Sequence, residues 1–126
     1  MKPPTRKPTD AELGILRILW MRGPSTVRDV ATDLGREDAY TTFLKLLQIM
    51  TEKGLVRRDE SARTHVYEAA HSEEKMQQHL VGDLLDRAFD GSAAKLLMRA
   101  LSARKASSRE LGEIRKLLKT TKGGAK

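Results

Sequence analysis

The sequence predicts a mainly α fold with one small β-hairpin, and three observations point there. Apolar residues recur at three- and four-residue spacing over most of the chain, the period of a half-buried helix. Thr9-Asp-Ala-Glu12, Thr26-Val-Arg-Asp29 and Ser107-Ser-Arg-Glu110 each have the form of a capping box, in which a hydroxyl and a carboxylate satisfy free amides at a helix start. One stretch departs from the helical period: Leu55–Asp59 and Thr64–Ala69 flank the polar turn Glu60–Arg63, as two short strands do.

The elements follow in order. Residues 1–8 hold three of the four prolines and are expected to be flexible. The first box opens a helix over Asp10–Arg22 with apolar residues around much of its circumference, and Trp20 reads as core. Gly23-Pro24 ends it. The second box opens a short helix whose inner face is Val27, Val30, Ala31 and Leu34, with Gly35 as its C-terminal stop. After the turn Arg36–Ala39 comes a helix over residues 40–53. At 100° per residue it gathers Phe43, Leu46, Leu47 and Met50 on one arc and Thr41, Lys45, Gln48 and Glu52 on the opposite one. Two helices joined by a few residues and followed at once by a basic hairpin form the pattern of a winged helix-turn-helix. The segment has two readings: a DNA-reading helix backed by its wing, or a helix packed beside a hairpin for stability alone.

Beyond the hairpin, Met76, Leu80, Val81, Leu84, Leu85, Ala88 and Phe89 keep helical spacing over residues 73–89. Gly91-Ser92 breaks this helix. Ala93–Ser102 forms another, and a last one follows the third capping box, with residues 120–126 expected to fray into a flexible tail. Wide apolar faces without an evident partner in the chain favour a dimerisation module over helices folded back on the head. The expected division is a DNA-binding domain over 1–71 and a helical dimerisation domain over 72–126.

Composition narrows the function. With 126 residues, one domain or a small domain with a helical appendage is expected. There is no cysteine, which removes disulfides, thiolate catalysis and Cys-ligated metals. His65, His71 and His79 lack the spacing of a paired helical metal site, and Asp83 with Asp86 reads as a solvated face. No nucleophile elbow and no phosphate-cradling glycine motif occurs, so no enzyme, cofactor or metal is expected. The N-terminal stretch has no apolar core of signal-peptide length and no run spans a membrane, which makes the cytoplasm the expected compartment.

The net charge of +7 is unevenly placed. Residues 1–71 carry 12 basic and 10 acidic side chains, residues 72–98 carry 3 and 5, and residues 99–126 carry 9 and 2. The excess thus lies in the C-terminal stretch, away from the expected reading head. Two further functions remain open from composition: non-specific, nucleoid-type DNA binding through that stretch, or a winged-helix adaptor for a protein partner.

The strings TDAELGILRILWMRGPSTVRDV, AYTTFLKLLQIMTEKGLVRR and THVYEA resemble the penicillinase-repressor family, which includes β-lactamase, methicillin-resistance and copper-transport repressors. HLVGDLLDRAFDGSAAKLLMRAL and SSRELGEIRKLL are similar to that family's C-terminal half. The resemblance covers about residues 9–119. It implies a homodimeric winged-helix repressor on an inverted-repeat operator, released by an upstream signal, often cleavage by a protease that a membrane sensor triggers. It places the start of the recognition helix at Tyr40-Thr41-Thr42 and the basic wing at Arg57, Arg58 and Arg63. Lys45 and Ile49 depart from common family choices. The Asn-Phe pair at which the antibiotic-resistance repressors are cut corresponds to Arg99-Ala100, and the cysteines of the copper-responsive branch are missing.

On this reading Thr41, Thr42, Lys45 and Gln48 face base edges in the major groove. Arg28, Tyr40, Arg57, Arg58 and Arg63 meet phosphates. Met76, Leu80, Leu84, Leu85, Phe89, Leu97, Leu101 and Leu117 form the dimer interface.

Overall fold

The structure is a computed structural model that describes residues 7–124, so of the expected flexible lead only Lys7 and Pro8 fall within it. The chain divides into two compact units between Val81 and Gly82.

The first unit begins with α1, Asp10–Arg22, opened as its sequence predicts: the Glu12 amide donates to Thr9 Oγ1 (3.2 Å) and the Thr9 amide to Glu12 Oε1 (2.9 Å). Ile15, Leu16, Ile18 and Leu19 are buried, while Trp20 is half-buried at the edge of the core, its indole N–H donating to the His71 carbonyl at 2.9 Å. Gly23 closes the helix at φ 91°, a left-handed conformation that favours glycine. In α2, Val27–Asp33, Thr26 and Asp29 form the second box, and Gly35 (φ 71°) turns the chain away. A single 3-10 turn, Glu37–Ala39, leads into α3, Tyr40–Glu52.

The hairpin pairs β1, Val56–Asp59, with β2, Val66–Ala69, antiparallel in the register Val56↔Ala69, Arg57↔Glu68, Arg58↔Tyr67 and Asp59↔Val66. Both strands are shorter than predicted, and the loop between them correspondingly longer. A third position joins the sheet: Ser25 and Tyr67 exchange backbone hydrogen bonds of 2.9 and 2.7 Å. This bridge ties the α1–α2 connection to the hairpin and buries Tyr67 in the core with Leu47, Met50 and Leu55.

α4, Glu73–Ala88, opens in the first unit with Ser72 Oγ accepting from the Lys75 amide. Met76 and Leu80 were both expected at a dimer interface. The structure corrects this: Met76 is fully buried in the head core and Leu80 packs against it, because the hairpin delivers the start of α4 directly onto that core. The compact head therefore reaches Val81, ten residues past the boundary expected from sequence.

In the second unit, Asp90 and Gly91 take positive φ (52° and 75°) to end α4. Ser92 caps α5, Ala93–Ala103, and the Ser107–Glu110 box opens α6, Ser108–Gly124. α6 continues past Lys119, where fraying was expected. Lys and Thr sustain a helix, and a glycine costs only about 1 kcal/mol relative to alanine, too little to force a stop. Leu97, Leu101, Ile114 and Leu117 line an apolar groove of about 400 Å³ between α5 and α6.

Candidate nucleic-acid interface

α3 has two chemically distinct sides. Leu47 and Met50 have no exposed surface, and Phe43, Leu44 and Leu46 are half-buried around them. Thr41, Thr42, Lys45, Gln48 and Glu52 are all exposed. The sequence-predicted readers therefore share one accessible face of a helix whose opposite face is anchored. Ile49 lies within that face at 37% exposure, an apolar group that helical periodicity flags as out of place.

A buried ion pair fixes the far end of α3. Lys53 Nζ lies 2.7 Å from Glu12 Oε1, with side-chain exposures of 10% and 3%. Burial pushes the Glu12 carboxyl up, but hydrogen bonds from Lys53 and the Thr9 amide outweigh it and hold the group below its ordinary value. One carboxylate thus caps α1 and tethers the last turn of α3. Sequence reasoning assigned Glu12 only the capping role, since nothing local connects positions 41 residues apart.

At the near end the Arg28 guanidinium stacks over the Tyr40 ring, 5.6 Å from its centroid. The two residues line a groove of about 500 Å³ that also takes in Thr26, Arg63, Thr64 and His65, so α2, α3 and the wing loop meet there. The predicted phosphate contacts separate into two groups. Arg63 is exposed and makes no ion pair among the described residues. Arg57 pairs with Glu68 at 3.4 Å, its cross-strand partner, and Arg58 with Glu60. The Arg58 guanidinium is held above its ordinary value by hydrogen bonding to Tyr67 and then to Glu60.

Of the residues predicted at a dimer interface, Leu84, Leu101 and Leu117 are exposed (45%, 38% and 64%), and Leu85, Phe89 and Leu97 are half-buried. Among the described residues no helix is long and apolar enough to cross a membrane, and no group of three His, Asp or Glu is placed to hold a metal ion.

Residues 8–120 match the family model described as penicillinase repressor. Two curated relatives, each called transcriptional regulator BlaI, come from Mycobacterium tuberculosis strains CDC 1551 / Oshkosh and ATCC 25618 / H37Rv. Each is 34% identical over 87 residues, 67% of this chain and 63% of the relative. The chain therefore matches less than two thirds of their length. A solved structure, transcriptional regulator Tm0710 from Thermotoga maritima, is 19% identical with a TM-score of 0.48, covering 91% of this chain and 74% of that one. Because the family match runs through both compact units, the chain belongs to the penicillinase repressor family, whose members are transcriptional regulators and not enzymes.

Proposed function

We propose that this chain is a DNA-binding transcriptional repressor that acts as a homodimer on an inverted-repeat operator and is released by an upstream signal. The observation that carries the proposal is the accessible face of α3, where Thr41, Thr42, Lys45 and Gln48 project from a helix anchored by Leu47, Met50 and the Lys53–Glu12 pair. Lysine donates to guanine O6 and N7, glutamine pairs with adenine, and threonine bonds a base or packs on a thymine methyl. Ile49 adds a second apolar group for such a methyl. Arg28, Tyr40 and Arg63 set register on the backbone.

The dimer would form through the exposed apolar residues of α4, α5 and α6 and present two heads to half-sites about one helical turn apart. Polymerase is then excluded sterically. The comparison with a regulator called BlaI supports control of a promoter, and a signal-activated protease is the release partner that the family suggests.

Selection of random duplexes by the purified protein at about physiological salt tests this reading. A two-fold symmetric enriched motif is expected. Retention without enrichment would support binding through the basic C-terminal stretch instead, and no retention would point to a protein partner. Within an enriched motif, Lys45→Ala should relax preference at one base position by roughly 1–3 kcal/mol. Equal weakening on all sequences would move Lys45 to the phosphate contacts.

A further inference from the structure

The groove between α2, α3 and the wing loop is lined by guanidinium, imidazole and hydroxyl groups beside the apolar Val27 and Leu44, and among the described residues no carboxylate lines it. Arg28 enters from α2, Tyr40 from α3, and Arg63, Thr64 and His65 from the loop, with Thr26 at its edge. Elsewhere on the wing each arginine has a carboxylate at hand, Glu68 for Arg57 and Glu60 for Arg58. Among the described residues Arg28 and Arg63 have no carboxylate partner in the groove. His65 is the groove's imidazole, the side-chain type whose charge changes most readily near neutral pH. The charged and titratable groups that line the groove beside it are Arg28, Tyr40, Arg63 and the buried Tyr67.

Resting on the DNA-binding reading, we propose that this groove seats one DNA backbone phosphate and that His65 is its proton-coupled member, taking up a proton as the phosphate enters. The chemistry is direct. Arg28 and Arg63 offer an imidazolium no counter-charge. A phosphate placed among the three reverses the sign of that environment and favours the charged imidazole. By reciprocity, a site that binds a proton more tightly with DNA present binds DNA more tightly when protonated. Tyr40 takes part through its ring, over which the Arg28 guanidinium stacks in the groove. The DNA affinity of the head is then pH-dependent through a residue that contacts no base.

Fluorescence anisotropy of a labelled mixed-sequence duplex, at fixed ionic strength and at about pH 6 and pH 8, reads this coupling. For the natural chain an affinity loss of about tenfold is expected on raising the pH, the consequence of a proton bound about tenfold more tightly in the complex. His65→Gln should bind as the natural chain does at the higher pH and lose the dependence. His65→Arg should keep the tighter binding at both values, an outcome that a merely structural role for the imidazole does not produce. Arg63→Gln should weaken binding at both while retaining part of the slope. A natural chain whose DNA affinity does not change with pH, or a His65→Gln variant with an unaltered slope, overturns the coupled phosphate seat and leaves DNA binding intact. A chain that retains no duplex at either pH overturns the DNA reading itself.

Discussion

The two compact units use similar residues to different ends. In the head, Ile15, Leu16, Val30, Leu47, Met50, Leu55, Tyr67 and Met76 are closed off from water. Among the described residues after Gly82 none reaches that degree of burial, although leucine is no scarcer there. Leu84, Met98, Leu101, Leu117 and Leu118 are between 38% and 64% exposed. One unit completes its core with its own chain. The other, by itself, leaves large apolar side chains exposed, the kind of surface that on a small unit suits a partner. Membership of a family does not make this point. It follows from where equally hydrophobic side chains end up.

The largest expected effect tests that contrast. Leu47→Ala removes side-chain atoms from a closed core and should lower head stability by about 2–5 kcal/mol, measured by urea unfolding. Leu117→Ala, already 64% exposed, should change the stability of a single chain by less than about 0.5 kcal/mol. Leu84→Asp and Leu117→Asp should shift the protein toward monomer in sedimentation velocity while the head's thermal transition stays in place. Met76 and Leu80, which lie N-terminal to Leu84 on α4, remain on the head core in both variants. Comparable losses from Leu47→Ala and Leu117→Ala in a monomer would mean that the second unit closes its own core after all.

A second prediction probes how the head holds α3. Lys53→Met takes the cation from the nearly closed Glu12 carboxylate, leaving it the hydrogen bonding of Thr9 among the described residues, and should cost about 3 kcal/mol. Glu12→Gln combined with Lys53→Met should recover much of that loss, since no buried charge is then unpaired. The pH dependence has a definite sign. The Glu12 carboxyl is held below its ordinary value, so its stabilisation is fully present above about pH 4.3, the unfolded value, and is lost as pH falls through the lower folded one. Without Lys53, burial is left to raise the Glu12 carboxyl, so the cost of Lys53→Met should shrink as pH falls and Glu12 takes up a proton, read from urea unfolding of both chains across a pH series.

These residues also mark the limit of what the sequence discloses. The capping boxes of Thr9, Thr26 and Ser107 were legible because hydroxyl, amide and carboxylate lie within four residues of one another. The polar face of α3 was legible because its period is local. The Ser25–Tyr67 bridge and the Lys53–Glu12 pair were not, since each joins positions some forty residues apart through a fold that must first form. Periodicity marked Met76 and Leu80 as buried but carries no information on which surface buries them. The wing arginines show the same gap. Their charge is plain in the sequence, yet only the strand register sets Glu68 across from Arg57.

The smallest effect concerns His71, where the hairpin hands over to α4. Its side chain is 6% exposed, Nδ1 has no hydrogen-bond partner among the described residues, and the His79 ring stands edge-on with centroids 6.4 Å apart. Burial lowers its pKa first; the His79 ring adds to this, as do Lys75 and Arg57, against a raising contribution from the Gly54 backbone. A histidine held neutral in the fold destabilises it wherever the unfolded chain takes up the proton. Stability should be at its plateau above about pH 6.5, the unfolded value, decline as pH falls through it, and level off once the folded imidazole also protonates. This window lies above that of Glu12, so one pH series of thermal midpoints separates the two groups. His71→Gln should flatten the upper window. His79→Gln should keep most of it, because burial, the leading cause, stays. If His79→Gln flattened it equally, the charge between the two rings and not desolvation would set the response.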